Sequence, residues 1–134
     1  MTFVASLAHL LALAATVTTQ PPAPTAFGTW SNPKGSLAVR TSPCAGGLCG
    51  AIVWANAKAL DDARKAGVTQ LIGTELLQNY RPAGRGTWKG RVYVPDMGRS
   101  FSSRIVQDGP NQLTISGCLI GGFLCRSQVW RRVA

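Results

Sequence analysis

Beyond residue 26 the apolar residues fall into short runs, and in several runs apolar and polar positions alternate. Successive side chains of a strand leave opposite faces, so this alternation marks a sheet with one buried side. Leu37 and Val39 share one face, opposite Ser36, Ala38 and Arg40. Trp88, Gly90, Val92 and Val94 oppose Lys89, Arg91 and Tyr93, while Phe101, Ser103 and Ile105 oppose Ser102, Arg104 and Val106. Turn chemistry separates the runs at Asn32-Pro33-Lys34-Gly35, Asp96-Met97-Gly98 and Asp108-Gly109-Pro110-Asn111. The pattern predicts eight strands, over 26–31, 36–41, 50–55, 69–79, 87–94, 100–107, 112–118 and 125–133. One short helix is expected over 57–66, with Asp61 four residues before Lys65 and Gly67 placed for a C-terminal cap. Short strands joined by hairpin turns imply an all-β sandwich or barrel with antiparallel pairing. There is no internal repeat.

The segment before this domain has a different character. Residues 1–26 carry no charged side chain, and 3–17 is an apolar stretch broken by Ser6, His9 and Thr16. It is too short and Ala-rich for a membrane span but suits the apolar core of a secretory signal, although no basic residue precedes it. We expect a signal peptide over 1–19, cleaved within 14–26, a Pro-rich linker over 20–26, and one domain over 27–134. The processed protein would be periplasmic or secreted and would not span a membrane.

Export changes what the four cysteines mean, because an oxidising compartment turns even-numbered cysteines of a small domain into a disulfide framework. Of the three pairings, Cys44 with Cys49 and Cys118 with Cys125 needs the fewest assumptions, since each pair brackets a short glycine-rich loop. A zinc site built from all four is the alternative, disfavoured because neither pair has two intervening residues. The chain carries 14 Lys and Arg against 5 Asp and Glu, a formal charge of +9. Such a surface attracts anionic partners without specifying one. Its charges are dispersed, so a stable nucleic-acid complex is not expected.

The sole histidine, His9, lies in the segment expected to be removed, so a mature chain has no Ser-His-Asp, Cys-His or His-metal chemistry to offer. Paired cysteines leave no thiolate nucleophile. Carboxylate chemistry by Asp61, Asp62, Glu75, Asp96 and Asp108 remains, yet only Glu75 falls inside an expected strand. No catalytic residue, metal ligand or cofactor is assigned. The glycine-rich 44–50 segment lacks a following Gly-Lys-Ser or Gly-Lys-Thr and reads as a stapled turn rather than a phosphate cradle. Trp30, Trp54, Trp88 and Trp130 are assigned to the core rather than to base stacking.

Taken together, several short motifs are similar to a bacterial family of unknown function, made of small periplasmic proteins with a lipocalin-like barrel. They are Gly28-Thr29-Trp30, Val39-Arg40, Pro43-Cys44, Leu48-Cys49-Gly50-Ala51-Ile52-Val53-Trp54, 88–98, 113–118 and 125–133. The family carries Asp before the proline of a Tyr-Asp-Pro turn, whereas this chain has Val94. The resemblance implies an eight-stranded up-and-down barrel of lipocalin or calycin type. It also implies that Trp30 packs under an Arg from the last strand, Arg132 or alternatively Arg131, closing one end.

An eight-stranded barrel either encloses a small ligand or is filled by its own side chains. For the first case the expected lining is Trp54, Trp88, Val92, Phe101 and Ile105, with Arg40 or Arg104 meeting an acidic headgroup at the rim. The reading is a noncatalytic envelope protein that binds a small apolar or amphipathic ligand. The alternatives are a basic module docking on anionic envelope polymer, lipid or nucleic acid, and a hydrolase built on Glu75.

Overall fold

The computed structural model describes residues 2, 10–16, 25–118 and 125–134. Most of the expected signal segment and residues 20–24 of the expected linker lie outside the described residues. So does the 119–124 loop between the second pair of cysteines.

Eight antiparallel strands close into a barrel in simple up-and-down order: β1 (Gly28–Ser31), β2 (Leu37–Cys44), β3 (Gly47–Ala55), β4 (Glu75–Pro82), β5 (Thr87–Val94), β6 (Arg99–Gln107), β7 (Gln112–Cys118) and β8 (Cys125–Arg132). Helix α1 (Ala57–Lys65) interrupts the meander between β3 and β4. Closure comes from β1 pairing with β8, Trp30 opposite Arg132 and Ser31 opposite Arg131, and it leaves no exposed sheet edge there. The expected face assignment holds on β5 and β6, where Val92, Gly90 and Trp88 lie opposite Phe101, Ser103 and Ile105. Phe101, Ser103 and Ile105 are buried while Ser102 and Arg104 are exposed. Trp30, Val39, Leu48, Ile52, Leu77, Ile105 and Leu113 are essentially solvent-free and form the packed middle of the barrel.

The hairpins explain where strands end. Ala45 and Gly46 both have positive φ (44° and 79°), the signature of a two-residue primed turn that matches strand twist. Consequently β2 and β3 run into this turn, beyond the expected ends at 41 and 50, and the Cys44–Cys49 disulfide spans the hairpin. Cys118–Cys125 joins β7 to β8 in the same local manner. Asn56 caps α1 by accepting from the Ala59 amide at 2.8 Å, and Asp61 meets Lys65 at 2.9 Å, as the four-residue spacing requires. Gly67, at φ 83°, terminates the helix.

The fourth strand differs from expectation. It begins at Glu75 instead of residue 69 and continues to Pro82. Residues 69–74 instead form turns: Gly73, at φ 91°, donates to the Ile52 carbonyl, and Thr74 donates to Leu71. Leu71 is buried and packs in the core cluster that includes Ala63 of α1, so its apolarity serves helix packing rather than strand alternation. Further along, Asn79 adopts φ 50° at a register shift, and this bulge turns Tyr80 inward. Gly90 makes room for that ring, since a Cβ there would stand 2.6 Å from Tyr80 Cγ.

Candidate functional site

The two ends of the barrel are built differently. At one end, Arg132 lies 4.4 Å above the Trp30 ring. Its guanidinium also donates to the carbonyls of Phe27 (2.8 Å), Thr25 (2.6 Å) and Pro110 (2.8 Å). The Trp30 indole N–H donates to the Ala26 carbonyl at 3.1 Å and to Thr41 Oγ1 at 3.2 Å. Gly28 precedes them for a steric reason, because a Cβ there would overlap the Arg132 guanidinium. The chain before β1 is thereby drawn across the barrel end. Arg131, the alternative partner, projects outward and is exposed. Beside this plug a space of about 250 Å³ opens between Phe27, Pro82 and Trp88. There Phe27 and Trp88 meet edge to face at 6.2 Å.

At the other end the barrel opens into a cavity of about 580 Å³. Its wall is apolar where Leu76, Val92, Ile115 and Trp130 meet, and its mouth is framed by α1 and by the turns that join β1 to β2 and β5 to β6. Gln128 and Arg126 precede Trp130 by two and four residues on β8, so all three project to the same face. Their partners across the ladder are Leu113, Ile115 and Gly117, the inner row of β7. Gln128 accepts the Trp130 indole N–H at 2.9 Å and thereby holds that ring as part of the cavity wall. Arg126 stands beyond them at the mouth, with Lys34, Lys58, Asp62 and Asp96 nearby. Lys58 engages Asp62 at 2.8 Å, and this hydrogen bond keeps the Asp62 carboxyl below its usual range and the Lys58 ammonium above its own. Asp62 is therefore held as a carboxylate and is unsuited to proton donation.

Of the seven residues expected to hold a ligand, Val92 alone lines this cavity. Phe101 is buried directly across the ladder from Val92 without lining the cavity, Ile105 is buried in the core cluster, and Trp88 packs at the opposite, plugged end. Trp54 is half exposed on the outer surface. The register shift between Ala38 and Val39 sets Trp54 opposite Ala38 and Ile52 opposite Val39, so the bulge takes Trp54 off the inner face. Arg40 and Arg104 are also exposed, on strand positions that face outward, and neither frames the mouth. Glu75 is exposed and does not line the cavity; Asp108 accepts from Thr114 at 3.2 Å on the surface. The sequence reading missed Arg126 and Gln128. Counting back by twos from Trp130 would have found them.

One buried polar group stands out. The Tyr80 hydroxyl has no hydrogen-bond partner among the described residues, and burial pushes it up to about 12. Ser103 opposes that shift less than burial drives it, and its hydroxyl is directed at the Ser116 carbonyl, 2.6 Å away. Among the described residues, no group of three or more His, Cys, Asp and Glu is placed to hold a metal ion, and no helix is long and apolar enough to cross a membrane.

A family model described as "Uncharacterized protein conserved in bacteria (DUF2147)" matches residues 28–132. No curated protein matches the chain. Among solved structures, the Helicobacter pylori protein HP1028, described as belonging to the lipocalin family, superposes with a TM-score of 0.62 at 14% identity. The match covers 83% of this chain and 84% of that one. At that identity the likeness concerns the fold.

Proposed function

The chain belongs to this family of bacterial proteins, and from that premise we propose that it is an exported, noncatalytic carrier of a small amphipathic ligand with an acidic headgroup. The observation that carries the reading is the one-ended cavity. Apolar Leu76, Val92, Ile115 and Trp130 line its wall, and Arg126 stands on the same inner face at the mouth. An acyl or ring system would be held by the wall, where burial contributes roughly 25 cal/mol per Å² of apolar surface. A carboxylate or phosphate would then reach Arg126, whose planar fork suits bidentate oxyanions. The lipocalin-like fold supports ligand carriage, and the uncharged, apolar stretch over 3–17 supports export to the periplasm or beyond. Among the described residues, Glu75 stands exposed away from the cavity and Asp62 is paired with Lys58, an arrangement that favours binding over hydrolysis.

The test is native mass spectrometry of protein recovered from its own periplasm, followed by titration with dodecanoate as a defined probe. Bound mass that leaves on denaturation is expected, together with saturable dodecanoate binding. Arg126→Gln should weaken dodecanoate about tenfold, the scale of one charge-assisted hydrogen bond, and leave dodecanol unaffected. Trp54→Ala should change neither. Clean apoprotein with no saturable binding of either probe would refute carriage; equal loss of both probes in Arg126→Gln would refute the headgroup assignment.

A further inference from the structure

On the outer surface, strand register assembles a row of cations that the sequence scatters over 24 positions. Arg81 lies directly opposite Lys89, and Lys89 directly opposite Arg104. The row continues through Ser116 and Ser127, whose hydroxyls lie 2.8 Å apart. Arg81, Lys89 and Arg104 are all exposed. Adjacent strands are about 4.8 Å apart, and like charges directly opposite one another destabilise a sheet. Nothing within the fold offsets this repulsion: among the described residues the ion pairs all involve Asp61 and Asp62 of α1. Arg81 is anchored through one guanidinium nitrogen on the Ala45 carbonyl, which fixes that end of the row against the hairpin.

We infer that the outer face of β4, β5 and β6 docks a linear carboxylated polysaccharide. The cations run straight across the sheet in single file, which fits a chain with charges repeated along its length. Hydroxyls of Ser102, Ser116 and Ser127 flank or extend the row and suit sugar hydroxyls. A lipid surface would call for exposed apolar groups among the cations. Among the described residues, the exposed large apolar side chains of the barrel, Val53, Trp54, Ile72, Met97, Val129 and Val133, all lie outside this row. Single-stranded nucleic acid would call for aromatic rings between the cations, and the row contains none.

The probe is immobilised polygalacturonate at physiological ionic strength. The double variant Lys89→Ser/Arg104→Ser is compared with Arg40→Ser/Arg131→Ser, which removes the same charge from the exposed faces of β2 and β8. The first pair should lose about tenfold in affinity, and the slope of log affinity against log salt should flatten by up to about two. The second pair should stay within about twofold of wild type. The first pair should also unfold at no lower temperature than wild type, since it relieves repulsion, so weakened binding would not reflect misfolding. Equal losses in the two pairs would overturn the proposal in favour of net charge alone. Absence of polygalacturonate binding would also overturn it, as would tighter binding to phosphatidylglycerol vesicles or single-stranded DNA.

Discussion

Replacing Arg132 by Ala should destabilise the protein by about 3 kcal/mol, although the position is near the chain end and partly exposed. The magnitude follows from the contacts at the plugged end. The guanidinium over Trp30 contributes roughly 1 kcal/mol or slightly more in this half-buried setting. Its bond to the part-buried Phe27 carbonyl contributes about 1.5 kcal/mol, and the exposed bonds to Thr25 and Pro110 add a few tenths each. For a domain of this size, about 3 kcal/mol lowers Tm by roughly 10–15 °C. Arg132→Lys keeps the charge but loses the planar fork, so it should recover less than half of the loss. Gly28→Ala should reproduce much of the effect by a different route. Its Cβ would displace the guanidinium and crowd the Ala134 carbonyl at 2.9 Å, at a φ of 150° that favours glycine. Because both changes remove one contact, their combined cost should fall short of their sum by about 1 kcal/mol or more. Urea and thermal unfolding of the four variants, followed by near-UV circular dichroism, measure this. Additivity of Gly28→Ala and Arg132→Ala, or a loss below about 1 kcal/mol in Arg132→Ala, would refute the closure argument.

Two further outcomes follow from the core and the hairpins. The Tyr80 hydroxyl stays protonated to about 12 when folded but titrates near 10.0 when unfolded. Stability is therefore full below pH 10 and falls by roughly 2–3 kcal/mol as pH rises through the folded value. Tyr80→Phe should abolish that alkaline loss and cost little at pH 7, because the buried hydroxyl it removes has no hydrogen-bond partner; an unchanged alkaline loss would contradict the assignment. Cys44→Ser/Cys49→Ser opens a closure of five residues' separation and should cost about 2 kcal/mol in urea unfolding, with retained circular dichroism; a cost near zero would mean the primed turn at Ala45 and Gly46 holds the hairpin unaided.

The barrel was largely legible in the sequence, for a local reason. Strand alternation is read two residues at a time, and β5 and β7 begin and end where the pattern says. Short glycine-rich loops between cysteines made local disulfides the economical pairing, and both are present. The Trp30 and Arg132 contact was foreseeable only through resemblance, since barrel closure sets side by side partners that lie far apart in the sequence. Where alternation breaks, the reading failed. Leu71 and Ile72 looked like strand, but Gly73 turns the chain and Leu71 serves α1. Trp54 looked like lining, but a bulge moved it outside.

The sequence by itself determined which residues alternate, where turns interrupt them and which cysteines lie close enough to join. These are properties of neighbours along the chain, fixed by backbone sterics and side-chain period. Tertiary structure decided which end of the barrel is plugged and which is open, and it decided that Arg126 and Gln128 stand at the cavity while Arg40 and Arg104 do not. It also set Arg81, Lys89 and Arg104 in one row. Those outcomes depend on register and bulges, in which a shift of one residue exchanges the inner face for the outer.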